Sequence, residues 1–286
     1  MITVTAASGQ LGALVIEALL SSGVPAGEIV AAVRNPDKAA GLAARGVQVR
    51  EADYSKPETL ATALAYTDRL LLISGSEVGQ RVEQHGNVVK AAVAADVSLI
   101  AYTSIVNAET SGIALADEHK ATEALIRESG LPYVLLRNSM YMEMHTDNVA
   151  TALQTGVIMG AAGDGLFSAA TRADFAAAAA AVLTGAGHEN AVYELGGDEP
   201  YTTSQLAGEI AAQSGKPVTY QDLPGDEYAK VLVGFGLPEA LADVFAGSDV
   251  GAARGDWHTT SRDLSALIGR PTTTLAEAVA AALDVA

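Results

Sequence analysis

The sequence predicts a doubly wound, parallel α/β sheet with a small C-terminal α/β lobe, and three observations carry that prediction. The β-branched run Ile2-Thr3-Val4-Thr5 passes through Ala6-Ala7-Ser8-Gly9-Gln10-Leu11-Gly12 into Leu14, Val15, Ala18 and Leu19, which recur at helical spacing. Strand-like and helix-like segments then alternate as far as Asn138. The runs at 70–73 and 133–136 are apolar throughout, as strands covered by helices on both faces are.

The elements follow in order. Residues 2–5 form the first strand, and the helix after it begins at the glycine turn. A second strand at 29–33 ends in Arg34, and a third at 47–49 leads to Asp53. A helix at 57–65, a strand at 69–73, a helix at 83–95 and a strand at 98–103 come next. A helix at 117–129 and a strand at 133–137 complete the first half. Beyond Asn138 the spacing predicts a helix over 141–154, a short strand at 157–159 and a helix over 171–183 opened by Thr171 or a neighbour. The alanine run at 176–181 suits close packing on the sheet. A strand at 192–195, a Thr/Ser-capped amphipathic helix at 203–214, a β run at 218–221 and a helical stretch over 225–248 finish the lobe. Residues 1–138 thus read as a Rossmann-type core. Residues 139–286 complete the sheet and form the lobe, within a single structural unit. No Pro/Ser linker, repeat or charge block suggests a further domain.

Composition narrows the function. The 286 residues carry 34 acidic and 17 basic side chains, a net charge of −17, which opposes a nonspecific grip on nucleic acid or anionic membrane. Cysteine is absent, so disulfides, thiolate nucleophiles and Cys-ligated metals are excluded. Glu143, His145 and Asp147 have no recognised metal spacing, and no metal is expected. The apolar runs are too short to span a bilayer, and Met1 leads straight into a strand, so a cytoplasmic protein is expected. Whether the chain forms a homodimer is left open.

A strand that turns through glycines into a helix presents free N–H groups and a positive dipole end, which suit a pyrophosphate. Arg34 lies about twenty residues past Gly12, where an acidic residue usually holds the ribose 2′-hydroxyl and where Arg instead accommodates a 2′-phosphate. The sequence therefore points to NADPH/NADP+. The first glycine of the usual motif is Ala6, whose methyl group crowds a tight turn. Asn35 adjoins Arg34, and Asp53 is placed to bond the adenine edge. Ser74-Gly75-Ser76 and Tyr102-Thr103-Ser104 follow strands where nicotinamide and its ribose should lie.

No Tyr occurs between Thr103 and Pro132, so the Tyr-x-x-x-Lys pair of ketone reductases is missing. His119 is placed to occupy the position of that lysine; a helix-surface histidine is the plainer alternative. Hydride addition to a plain ketone makes a basic alkoxide and needs a positioned acid. Addition to a quinone makes a delocalised phenolate-type anion, for which orientation and weak donors suffice. Asn138 follows an apolar strand and offers an amide donor there, although a turn-forming Asn would also fit. Met140, Tyr141, Met142 and Met144 could line an adaptable pocket for a flat aromatic acceptor.

The stretches 5–12, 33–36, 52–54, 70–80 (LLLISGSEVGQ), 101–104 (AYTS), 115–119 (LADEH), 135–138 (LLRN), 160–174, 249–252 and 269–275 carry a resemblance along essentially the whole chain. On them the chain resembles the NmrA-like branch of the atypical short-chain dehydrogenase/reductases. The resemblance implies a flavin-free enzyme that passes hydride from NADPH to a quinone-like acceptor. Its alternatives are a triarylmethane or azo dye reductase and a non-catalytic NADP(H)-sensing regulator. It places Gly9, Gln10, Leu11, Gly12, Arg34, Asp53, Ser74 and Thr103 around the cofactor, a set that with the neighbours Ala6, Ser8, Asn35, Tyr54, Gly75, Ser76, Ser104 and His119 makes up the expected cofactor site. Asn138, Tyr141 and Phe167 fall to the acceptor, with Asn138, His119 and Tyr141 as catalytic candidates. Ala6 departs from the family's glycine, and Ser139-Met140 stands at the acceptor-pocket wall.

Overall fold

The structure is a computed structural model that describes residues 1–284. β1 (Ile2–Thr5) is the central strand, flanked in parallel by β2 (Ile29–Val33) and β4 (Arg69–Leu72). β3 (Gln48–Glu51) lies outside β2, while β5 (Leu99–Ile105), β6 (Tyr133–Asn138) and β8 (Ala191–Leu195) extend the other side. The order is β3-β2-β1-β4-β5-β6-β8, and every neighbouring pair is parallel. Val4 fixes the central register, opposite Ala31 and Leu71. The chain grows outward to β3 and then crosses to the far side of β1. That reversal opens a crevice at the carboxyl ends of β1 and β4.

Helices cover both faces, which is why β2 and β5 are buried at every position. α1 (Gln10–Ser21) packs on one face together with α8 (Arg172–Thr184), against Val4, Ala31, Leu71 and Ala101. The small side chains of Ala176, Ala178, Ala179 and Ala180 are buried there and let α8 come close to α1. α3 (Pro57–Ala63), α4 (Arg81–Ala94) and α5 (Ala114–Glu128) cover the other face, where Leu60, Val88 and Ile126 meet Leu72, Ile100 and Tyr102. A short α2 (Ala40–Ala44) links β2 to β3.

The lobe begins with α6 (Glu143–Thr146), α7 (Val149–Thr155) and β7 (Val157–Gly160). After β8 it resumes with α9 (Thr203–Ser214) and with β9 (Thr219–Asp222), which pairs in parallel with β7. α9 opens with a reciprocal cap: Thr202 accepts from the Gln205 N–H while the Gln205 side chain accepts from the Thr202 N–H. α10 (Gly225–Gly234) and α11 (Glu239–Ala253) pack as a hairpin. The lobe has its own core of Met140, Met142, Phe167, Tyr201, Leu206 and Trp257. Two expected helices are divided. The 141–154 helix breaks into α6 and α7 at Asp147-Asn148, with Asn148 bonding the Met144 carbonyl. The 225–248 helix breaks at Gly236, whose φ is +93°, and Pro238 then caps α11. α12 (Asp263–Ile268) and α13 (Leu275–Asp284) were not expected. No described helix is long and apolar enough to cross a membrane.

Candidate active site

The glycine turn is built by close approach. A Cβ on Gly12 would lie 2.5 Å from the Ala6 carbonyl oxygen and 2.7 Å from the Ala7 Cα, so only glycine lets α1 start against β1. The Gly9 N–H donates to the Ala6 carbonyl at 2.9 Å, and Ala6 sits at φ +48°, in the left-handed region that glycine favours. Gly9 caps α1 without any side-chain bond. Among the described residues, the N–H groups of Gln10, Leu11 and Gly12 therefore meet no protein acceptor. Ser8, Gly9 and Gln10 are exposed beside them, while the Leu11 side chain is buried in the core. Three free donors on a helix N-terminus fit a pyrophosphate.

Arg34 leaves the end of β2 with its side chain 69% exposed, and its Nη1 donates to Glu77 Oε1 at 2.8 Å. Its neighbour does something else. Asn35 Oδ1 accepts from the Asp37 N–H and caps the turn at 36–39, so that oxygen is spent on local structure. Asp53 likewise accepts from the Ser55 N–H, with the Lys56 ammonium 3.5 Å away. The Tyr54 hydroxyl donates to the Ile73 carbonyl at 2.8 Å and lies 2.6 Å from Thr5 Oγ1. Burial pushes that phenol up. Tyr54 thus props β1 against the end of β4 instead of presenting a donor to a ligand.

The 74–80 loop is clamped from below. The Ser74 N–H donates to Thr103 Oγ1 at 2.9 Å, and the Gly75 N–H donates to His85 Nε2 at 3.0 Å. His85 Nε2 is therefore unprotonated, and its Nδ1–H donates to Thr122 Oγ1, whose own hydroxyl donates to the Glu118 carbonyl. Burial pulls the His85 ring down to about 4, with the Arg81 guanidinium adding to the effect. Arg81 Nε donates to the Gly75 carbonyl and its Nη1 pairs with Glu118 at 3.3 Å. Glu118 also accepts from the Gly79 N–H. Glu77 bonds Arg34 on one oxygen and Gln84 on the other. Sequence reasoning missed His85, Arg81, Glu118 and Glu77. A lone histidine and ordinary helix charges give no sign of partners that arrive only on folding.

His119 is buried on α5, with Nδ1 at 2.7 Å from the Tyr102 hydroxyl. Burial pulls it down to about 3, with Arg81 and His85 contributing, so the ring is neutral and is no cationic stand-in for lysine. Ser104 faces the same layer. Its hydroxyl donates at 2.6 Å to Glu123, which is wholly buried and paired with Arg137, so the expected contact with the cofactor is replaced by a structural one. Asn138 ends β6 with Oδ1 buried and without a hydrogen-bond partner among the described residues. Burial raises the Tyr141 phenol, and Asn138 and Arg172 beside it take back only part of that rise. The Tyr141 ring lies edge-on to Phe175 and under the Arg172 guanidinium, 5.0 Å from the ring centre.

Phe167 differs from expectation. It is fully buried, exchanges both backbone bonds with Tyr201 and meets the His145 ring edge at 4.7 Å, so it supports the lobe from inside. Met142 is core as well. Met140 and Met144 do line a cavity of about 470 Å³ between α7, β7, α9 and the α10–α11 hairpin. Leu206, Leu232, Phe235 and Phe245 make its apolar walls, and His145, Tyr228 and Asp249 supply polar groups. Met140, two residues past Asn138 at the carboxyl end of β6, is part of its lining.

The NmrA-like family profile matches residues 1–275. The chain is 55% identical to quinone oxidoreductase 2 of Escherichia coli over 279 residues, covering 98% of this chain and 97% of that one. It superposes on the crystal structure of the Escherichia coli NADPH-dependent quinone oxidoreductase complexed with NADPH with a TM-score of 0.97, at 54% identity, over 99% of this chain and 100% of that one. Triphenylmethane reductase of Citrobacter sp., complexed with NADP(H), gives 0.95 at 43% identity over 99% and 100%. Fold, crevice and comparison agree: the chain belongs to the NmrA-like family.

Proposed function

We propose that this chain reduces quinones with NADPH by direct hydride transfer, without a flavin. The observation that carries the reading is the pairing of an uncapped α1 N-terminus with the exposed Arg34 at the end of β2. The N–H groups of Gln10, Leu11 and Gly12 would hold the pyrophosphate, and Arg34 would exchange Glu77 for the 2′-phosphate. The clamped 74–80 loop and Thr103 would border the nicotinamide end. NADPH supplies the hydride when bound. The likeness to an NADPH-dependent quinone oxidoreductase at 55% identity supports the same assignment.

The end of β6 fits a quinone because its one amide is neutral. Asn138 brings an amide donor, so a carbonyl oxygen that gains delocalised charge would be steadied by a hydrogen bond and take its proton from water. Asn138→Ala tests this. Steady-state NADPH oxidation with 1,4-benzoquinone should fall about tenfold, the worth of one oriented donor, while the NADPH Kd stays within about twofold. Unchanged turnover would leave Asn138 outside the reaction.

A further inference from the structure

Among the side chains lining the lobe cavity, Asp249 alone is a carboxylate, and neither Lys nor Arg lies on that wall. It takes part in no ion pair among the described residues. Its Oδ2 accepts one bond, from the Ala161 N–H at 3.0 Å, and Gly160 leaves room for it, since a Cβ there would come within 2.7 Å of that oxygen. Oδ1 receives no donor from the described residues. Its neighbours do not neutralise it: Asp222 on β9 adds like charge, and Tyr220 and Tyr228 remain protonated phenols. His145 across the cavity is neutral, pulled down to about 4. Asp249 is half-buried, so its free oxygen faces the open cavity and stays available to a cation that enters it.

From this placement we infer that Asp249 is a specificity-determining residue that selects acceptors carrying positive charge, namely flat conjugated cations, over neutral ones of similar size. The inference rests on the proposed hydride transfer. It fits the missing acid: when hydride adds to a cationic carbon, its electron pair forms the new C–H bond, the dihydronicotinamide becomes the pyridinium, and the acceptor leaves neutral with no proton required. Reduction also erases the ion pair with Asp249, which favours product release. The net charge of −17 draws cations toward the molecule over long range.

The test uses the full chain and the variant Asp249→Asn, which keeps an oxygen for the Ala161 N–H. The first readout is equilibrium binding of a cationic triarylmethane dye without NADPH, by fluorescence. The second is the ratio of kcat/KM for that dye to kcat/KM for 1,4-benzoquinone. Dye affinity and the ratio should each fall about tenfold or more, as loss of a charge-assisted contact does. An unchanged dye affinity, or equal losses with both acceptors, would overturn the inference. Should the variant fail to fold, the wild-type chain gives the answer through pH. Burial and Asp222 raise the Asp249 carboxyl to about 6, so dye affinity should drop as pH falls from 7 to 5. An affinity flat across that range would overturn the proposal equally. Dye binding that responds as expected, with no NADPH oxidation by any acceptor, would instead defeat the proposed reaction and leave the assignment of Asp249 standing.

Discussion

Ala6 holds a backbone conformation that suits glycine, at φ +48°, because its carbonyl must turn to accept the Gly9 N–H beneath α1. A left-handed alanine costs about 1–2 kcal/mol, and glycine returns about half of that gain through the freedom of its unfolded chain. Ala6→Gly should therefore stabilise the protein by about 0.5–1 kcal/mol in urea unfolding; a loss of stability would refute the strain at Ala6. At this scale the sequence revealed residues whose place follows from the strand pattern alone. Arg34 and Asn138 stand at strand ends, and Gly12 follows a strand. It could not reveal Asn35, Tyr54, Ser104 or Phe167, because each spends its polar atom or its ring on a neighbour fixed by folding. Ser104 and Glu123, for example, meet only when α5 packs on β5.

Among the elements, α1 matters most, since its first turn makes both the packing against β1 and the free donors. Gly12→Ala would drive a methyl into the Ala6 carbonyl and the Ala7 Cα and push α1 outward. We expect a stability loss of about 1–3 kcal/mol and NADPH binding weakened at least tenfold, measured by urea unfolding and titration. Full NADPH affinity would mean that the turn adapts. Strands were legible because buried parallel strands are continuous apolar runs. The lobe helices were less so: Asp147-Asn148 and Gly236-Leu237-Pro238 each interrupt what periodicity reads as one helix. α13 did announce itself through Thr274 and Glu277, which bond each other's N–H groups as a capping box. That Thr-x-x-Glu signal precedes an alanine-rich run, as a helix start does.

Across the whole molecule, burial keeps three histidines neutral. His85, His119 and His145 are held at about 4, 3 and 4, below the ordinary histidine value of about 6.5. Between those limits the unfolded chain binds protons that the folded chain refuses, so stability is complete above about pH 6.5 and falls as pH drops. Asp249 acts in the opposite sense, because its raised carboxyl favours the folded state as pH falls below about 6. Three groups against one give a net loss, on the order of 1–2 kcal/mol per histidine by pH 5. Urea midpoints at pH 7 and pH 5 check it, and a midpoint that is equal or higher at pH 5 would contradict it. Helices cover both sheet faces, and Arg34 and the 74–80 loop meet at the carboxyl ends of the strands, where α1 begins.

The most direct measurement is a pair of titrations, NADPH and NADH, on the wild-type chain and on Arg34→Ala. The guanidinium at the end of β2 should hold the 2′-phosphate, so the variant's Kd for NADPH should rise about 10- to 100-fold while that for NADH changes less than about twofold. Equal losses for the two cofactors, or a wild-type chain that binds NADH as tightly as NADPH, would contradict the account.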